Sequence, residues 1–255
     1  MIQIIRKLLL FRESIDLLPY FYSDFFKTQF RYMTWKQVFT SSVGKKLVMA
    51  FTGIFLILFL IIHVGLNACI WANDDGKMFN AGAHFMGGNW VPRVLEIGLF
   101  LGLILHIAQS LVLTLSNNSK RDVQYAVAYG NRGSKWYSRS MGLLGTLILL
   151  FLILHLYNFW LPNRSHQGFL LGEEINLYAK MQEVFSNLWV VIIYVLGCIS
   201  LGYHLAHGFQ SAFRTIGIHN KRWQVIVIAI GYAFSIIVPL MFALMPLSFY
   251  FGWLS

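Results

Sequence analysis

Charge is what this sequence has least of. Only 12% of its 255 residues are Asp, Glu, Lys or Arg, and just ten are acidic, while 57% are hydrophobic. With a mean hydropathy of +0.62, that balance excludes an ordinary soluble domain and places the chain in a bilayer. Cysteine is nearly as scarce. Cys69 and Cys198 both fall in apolar runs and outside any C-x-x-C or C-x-x-C-H pattern, which argues against a zinc site or covalently attached haem. Low-complexity sequence is missing, and so is any polar stretch long enough for a second soluble domain. The apolar patch over residues 2–11 is broken by Arg6 and Lys7 and followed by Arg12, so no cleaved signal is expected. A formal charge of +10 would suit nucleic acid, but no soluble face remains to bind it. No nucleic-acid partner is expected, and the charge reads instead as topology.

What is there is five long apolar runs, about 47–71, 94–115, 141–161, 188–213 and 223–253. Each exceeds or approaches the ~20 residues that span a bilayer, and lipid leaves their backbone no partner but its own helix. The last contains Pro239 and Pro246, which remove backbone donors and are expected to kink or shorten it without ending the span. Lys and Arg divide unequally between the two faces. The segment before the first run carries eight, the second connection five and the fourth three, against two in each connection on the other side, sixteen to four in all. The positive-inside rule then puts the N-terminus on the cytoplasmic side, or its organellar equivalent, and the C-terminus outside; the expected setting is a bacterial inner membrane with the C-terminus in the periplasm. Residues 1–40, basic and aromatic, read as a cytoplasmic segment that either lies along the headgroups or extends freely. Residues 41–255 form the membrane domain, and the connection after the first run, rich in Gly and Asn, reads as a loop at the outer face.

Histidine carries the functional signal. His63, His106, His155 and His204 fall one each in the first four runs, and an ionisable residue within a membrane span marks function by default. Helical rise sorts them by depth: His63 and His155 lie ~24 and ~21 Å from the cytoplasmic face, His106 and His204 ~12 and ~6 Å from it. Two layers result, an outer pair His63/His155 and an inner pair His106/His204, each drawn from two helices. A haem iron with two axial histidines requires that arrangement. The expected architecture is thus a five-helix bundle around two stacked haems b, wired for electron transfer, with axial positions too full for oxygen chemistry. His207, three residues after His204, competes as a ligand but lies closer to the headgroups, and His204 is preferred. Gly53, Gly145, Gly98, Gly102, Gly197 and Gly202 lie near the histidine levels and serve either macrocycle clearance or plain helix contact.

Several segments carry a resemblance. Residues 40–53 read Thr-Ser-Ser-Val-Gly-Lys-Lys-Leu-Val-Met-Ala-Phe-Thr-Gly; His63, His106 and His155-Leu156-Tyr157 follow, then Tyr203-His204-Leu205-Ala206-His207-Gly208. From about Met33 onward the chain resembles the b558-type cytochrome b subunit of succinate:menaquinone oxidoreductases and, more distantly, the di-haem anchor of menaquinol:fumarate reductases. The resemblance implies His63, His106, His155 and His204 as haem ligands, with Gly208 and Gly217 supporting the last. It implies an iron-sulfur subunit and a flavoprotein as partners, the latter interconverting succinate and fumarate, and quinone, menaquinone favoured, as the other electron carrier. This chain would itself do only electron transfer and quinone chemistry. Met86 before Gly87-Gly88, and Gly202 two residues before His204, stand where the fumarate reductase branch has acids, so that branch's quinol-site chemistry does not carry over.

Basic residues of the inner connections, Lys120, Arg121, Arg132, Lys135, Arg139, Arg214, Lys221 and Arg222, would dock the partner or serve topology alone; Arg139 and Arg214, beside span ends, are the candidates to meet haem propionates. Glu96, the one acid inside a run, and His84 are the candidates to supply protons to a quinone near the outer face, a structural Glu96 being the alternative. Two rivals stand against this reading. Other di-haem quinone-linked cytochromes tend to place their ligands on fewer helices. A haem-free transporter would want more buried acid than one glutamate.

Overall fold

The computed structural model describes residues 40–119, 135–167, 175–218 and 220–254, and among them no strand occurs. The chain divides into two units, Met1–Lys46 and Leu47–Ser255. The described part of the first is residues 40–46, the opening of helix α1 (Ser42–Ala68), where Ser41 Oγ accepts a hydrogen bond from Gly44 N at 3.0 Å and so satisfies a donor the helix leaves orphaned. The interfacial segment expected over residues 1–40 lies outside the described residues, Thr40 excepted, as do Lys120, Arg121 and Arg132.

The second unit is a helical bundle. After α1 come α2 (Lys77–Gly88), α3 (Trp90–Ser119), the short α4 (Trp136–Arg139), α5 (Met141–His155), α6 (Leu161–Gln167), α7 (Leu177–Phe185), α8 (Leu188–Thr215) and α9 (Lys221–Tyr250). Among the described residues five stretches are long and apolar enough to cross a membrane: Ser42–Ala72, Trp90–Ser116, Met141–His166, Leu188–Thr215 and Lys221–Tyr250. These residues make an all-α membrane domain. The apolar stretch of α3 has no buried residue, and Leu95, Leu101, Ile104 and Leu115 stand exposed along it, as suits a surface that meets lipid tails.

α8 and α9 approach most closely, and a proline explains how. Pro239 lies inside α9 without interrupting it and leaves the Ser235 carbonyl, four residues earlier, without its helical donor. Gly202 of α8 sits against that carbonyl, where a Cβ would come within 3.1 Å of Ser235 O. A glycine on one helix and a proline on the next thus accommodate each other.

Two stretches read as loops are partly helical. The first holds α2 and the second holds α7, and both cover the end of the bundle where α1 finishes, called here the cap. Asn80 on α2 donates to Asn176 Oδ1 at 3.0 Å and accepts from Tyr178 N at 3.1 Å, while Asn176 also caps α7 through Ala179 N. Gly76, just before α2, has φ +75°, and a Cβ there would strike the Tyr178 side chain at 2.2 Å; glycine meets both demands. Below lie Ile70, Phe79, Met181, Phe185, Val191 and Met245, all buried, and Trp71 Nε1 ties the end of α1 to Ser248 of α9 at 3.0 Å. At the opposite end, the base, where α8 ends and α9 begins, the buried cluster is smaller: Ile57, Leu205 and Phe209.

Candidate functional site

Four helices deliver one histidine each: His63 on α1, His106 on α3, His155 as the last residue of α5 and His204 on α8. Their rings meet in two pairs. His63 and His155 have ring centres 5.8 Å apart, on the cap side; His106 and His204 have theirs 6.3 Å apart, on the base side. A metal ion held end-on by two imidazoles, with bonds of about 2 Å and half a ring on either side, sets ring centres roughly 6 Å apart. Among the described residues no three or more His, Cys, Asp or Glu side chains converge as a metal site. Each pair thus offers two ligands, the number that a planar tetrapyrrole supplying four of its own leaves open.

The second ring nitrogens differ from histidine to histidine. His106 Nδ1 lies 3.0 Å from Thr52 Oγ1 on α1, and His63 Nδ1 lies 3.4 Å from Asn67 Nδ2, one turn further along its own helix. His155 Nδ1 and His204 Nδ1 are shut in without a hydrogen-bond partner, although both residues are only partly buried. An uncompensated buried nitrogen costs about 1–3 kcal/mol, and the bundle bears it at two of its four paired histidines.

The cap-side pair is surrounded by rings. Phe59 stacks on His63 at 5.1 Å and Phe242 lies 5.4 Å from it; Phe151, Phe159 and Tyr194 lie 5.6–6.0 Å from His155. Immediately after His155 the helix widens into a π-turn, Leu156–Trp160, a feature that recurs at functional sites. It carries Asn158, which donates to Tyr194 Oη at 3.1 Å. Among the described residues the base-side rings of His106 and His204 stack only on each other. Gly53 lies beside them instead, 3.7 Å from His106 Cε1 if given a Cβ.

Comparison with protein-family models, curated proteins and solved structures gave no match. His207 is half-buried one turn beyond His204, but the ring that meets His106 is that of His204. Glu96 is ion-paired: its Oε1 accepts from Trp160 Nε1 at 2.6 Å, and its Oε2 from Arg164 and, at 3.3 Å, from Arg93. Those bonds clamp the start of α3 to the π-turn and α6, and His84 is exposed on α2. Arg139 and Arg214 are exposed at the ends of α4 and α8. Of the six glycines near the histidine levels, Gly102, Gly197 and Gly202 are packed against Phe55, Phe151 and Ser235, whereas Gly98 and Gly145 face open space.

Sequence reasoning passed over a set of polar residues within the spans. Asn67, Gln109 and Asn158 each follow a paired histidine by three or four residues, as His207 follows His204. Each therefore lies one turn away on the same helix face. Gln109 Oε1 is buried without a partner. The signal was available, since polar side chains are rare at such depths. Thr52 had no comparable signature, because its partner lies 54 residues away.

Proposed function

We propose that this chain is the membrane-anchor cytochrome b of a succinate:quinone oxidoreductase, the same assembly running in reverse as a quinol:fumarate reductase. The observation that carries the reading is the pairing of four histidines from four different helices at 5.8 and 6.3 Å. His63 and His155 would hold one haem b and His106 and His204 the other. Such haems would supply one-electron transfer, each held by a histidine from each of two helices. Aromatic rings surround the cap-side pair, and Gly98 and Gly145 leave room at the helix surface.

Sixteen basic residues against four favour the base as the cytoplasmic side of a bacterial inner membrane. There Lys135, Arg139, Arg214, Lys221 and Arg222 would receive an iron-sulfur subunit, itself fed by a flavoprotein that handles succinate and fumarate. Arg139 and Arg214 remain the candidates for haem propionates. Quinone, menaquinone favoured by the resemblance, would exchange electrons with this chain. The ion-paired Glu96 is better suited to structure than to proton supply, which leaves His84 as the cap-side candidate donor.

A pyridine haemochrome assay on the purified complex tests the reading directly. Two haems b per chain are expected. A folded chain that matures without haem overturns the proposal and favours a haem-free transporter.

A further inference from the structure

Thr52 sits on α1 with three acceptors or near-acceptors about its hydroxyl: Val48 O at 2.7 Å, Met49 O at 3.3 Å and His106 Nδ1 at 3.0 Å. A hydroxyl has one proton, and a carbonyl oxygen can only accept. The proton therefore belongs to the α1 backbone, in the back-bond to the carbonyl four residues earlier that Thr makes inside helices. What the oxygen turns to His106 is a lone pair. At 3.0 Å it takes a hydrogen bond only if Nδ1 carries the ring proton. The neutral imidazole has one proton, so Nε2 of His106 is left bare, the form in which a histidine binds a metal.

The ring lies beside Gly53, where a Cβ would sit 3.7 Å from His106 Cε1, in ordinary van der Waals contact. His204, the partner ring, has its own Nδ1 buried and unpaired. Control of the base-side pair thus comes from one side only, through α1.

We infer that Thr52 is a positioning residue for the base-side haem: its hydroxyl fixes the tautomer and rotation of His106 and makes the ligating nitrogen more electron-rich. The inference rests on the di-haem reading above. A hydrogen bond from the far nitrogen of a ligating histidine raises its basicity and thereby favours the ferric state. Removing the acceptor should shift the balance of that one haem toward ferrous.

The test compares Thr52→Val, which keeps the shape and loses the acceptor, with Thr52→Ser, which keeps the acceptor. Haem content, an optical redox titration resolving the two haems, and the low-spin ferric resonance of each are read on the intact complex. In Thr52→Val one haem should become easier to reduce by about tenfold in its ferric/ferrous ratio, equivalent to 59 mV for one electron, with its resonance displaced. The other haem should not move, and Thr52→Ser should behave as wild type. If Thr52→Val fails to accumulate, Thr52→Ala reads out the same shift. Unmoved potentials and resonances overturn the inference, as does an equal shift of both haems or a Thr52→Ser variant that shifts as far as Thr52→Val. A wild-type complex without haem overturns both readings; two haems in the wild type with an inert Thr52→Val overturn this one alone.

Discussion

The two histidine pairs are alike in ligand chemistry and unlike in everything around it. On the cap side, His63 and His155 are enclosed by Phe59, Phe151, Phe159, Tyr194 and Phe242, and the neighbour of His63 Nδ1 is an amide that donates. On the base side, glycine replaces the ring cage and the neighbour of His106 Nδ1 is a hydroxyl that accepts. Identical ligands in different settings are how a protein gives two chemically equal centres different properties. A donor facing Nδ1 favours a proton on Nε2, whereas an acceptor clears Nε2. Under the di-haem proposal, the Thr52 acceptor would preset His106 for its iron, whereas His63 would bind one only with the Asn67 amide turned over.

The comparison breaks most visibly at the histidines. Replacing His63 or His155 by Ala should remove one haem, and replacing His106 or His204 the other, halving the haemochrome yield each time. If His204→Ala keeps both haems while His207→Ala loses one, the base-side ligand has been misassigned. The next effect belongs to packing. Phe185, 2% exposed beneath the cap and in ring contact with Phe159, Tyr194 and Phe249, should cost about 3–5 kcal/mol on truncation to Ala. Denaturation in detergent would measure it, and the spectrum of the cap-side haem should be the one perturbed.

Smaller again is Glu96→Gln. It removes the carboxylate charge that Arg164 and Arg93 share, at a cost of about 1–3 kcal/mol, and thermal unfolding should register it while quinone reduction persists. Abolished quinone reduction at unchanged stability would instead make Glu96 the proton donor. The least effect is expected at the base, where Tyr137 and Tyr232 share a hydrogen bond of 2.9 Å. Burial and that bond push Tyr137 up to about 12, so its stabilising contribution is present below pH 10 and fades between pH 10 and 12, as the unfolded phenol ionises first. Tyr137→Phe should abolish that alkaline component of the unfolding curve and change neutral stability little.

Five apolar runs made the spans legible, since length and hydropathy are properties of the runs themselves. Their edges were less so. α3 begins at Trp90 rather than near Val94 because Pro92 falls in the first turn, where its missing donor is no loss. α2 escaped notice because Gly and Asn suggested a loop; its one buried side chain, Phe79, finds its partners only in the folded cap. Nothing local announces a π-turn, which depends on how Asn158 and Trp160 engage Tyr194 and Glu96 across helices. The histidine levels could be counted along each helix. Thr52 could not be reached that way, since its role is a contact between α1 and α3.

α1 touches both levels, through Thr52 at one and His63 at the other. Eleven residues separate them, about three full turns and ~16 Å of rise, so the two side chains share a face. The helix is in effect a ruler with two marks in phase. One residue inserted between them would swing the second mark by ~100° and could not be absorbed by stretching. For the two proposed haems, the separation on which an electron hop depends would thus be written in the pitch of a single helix.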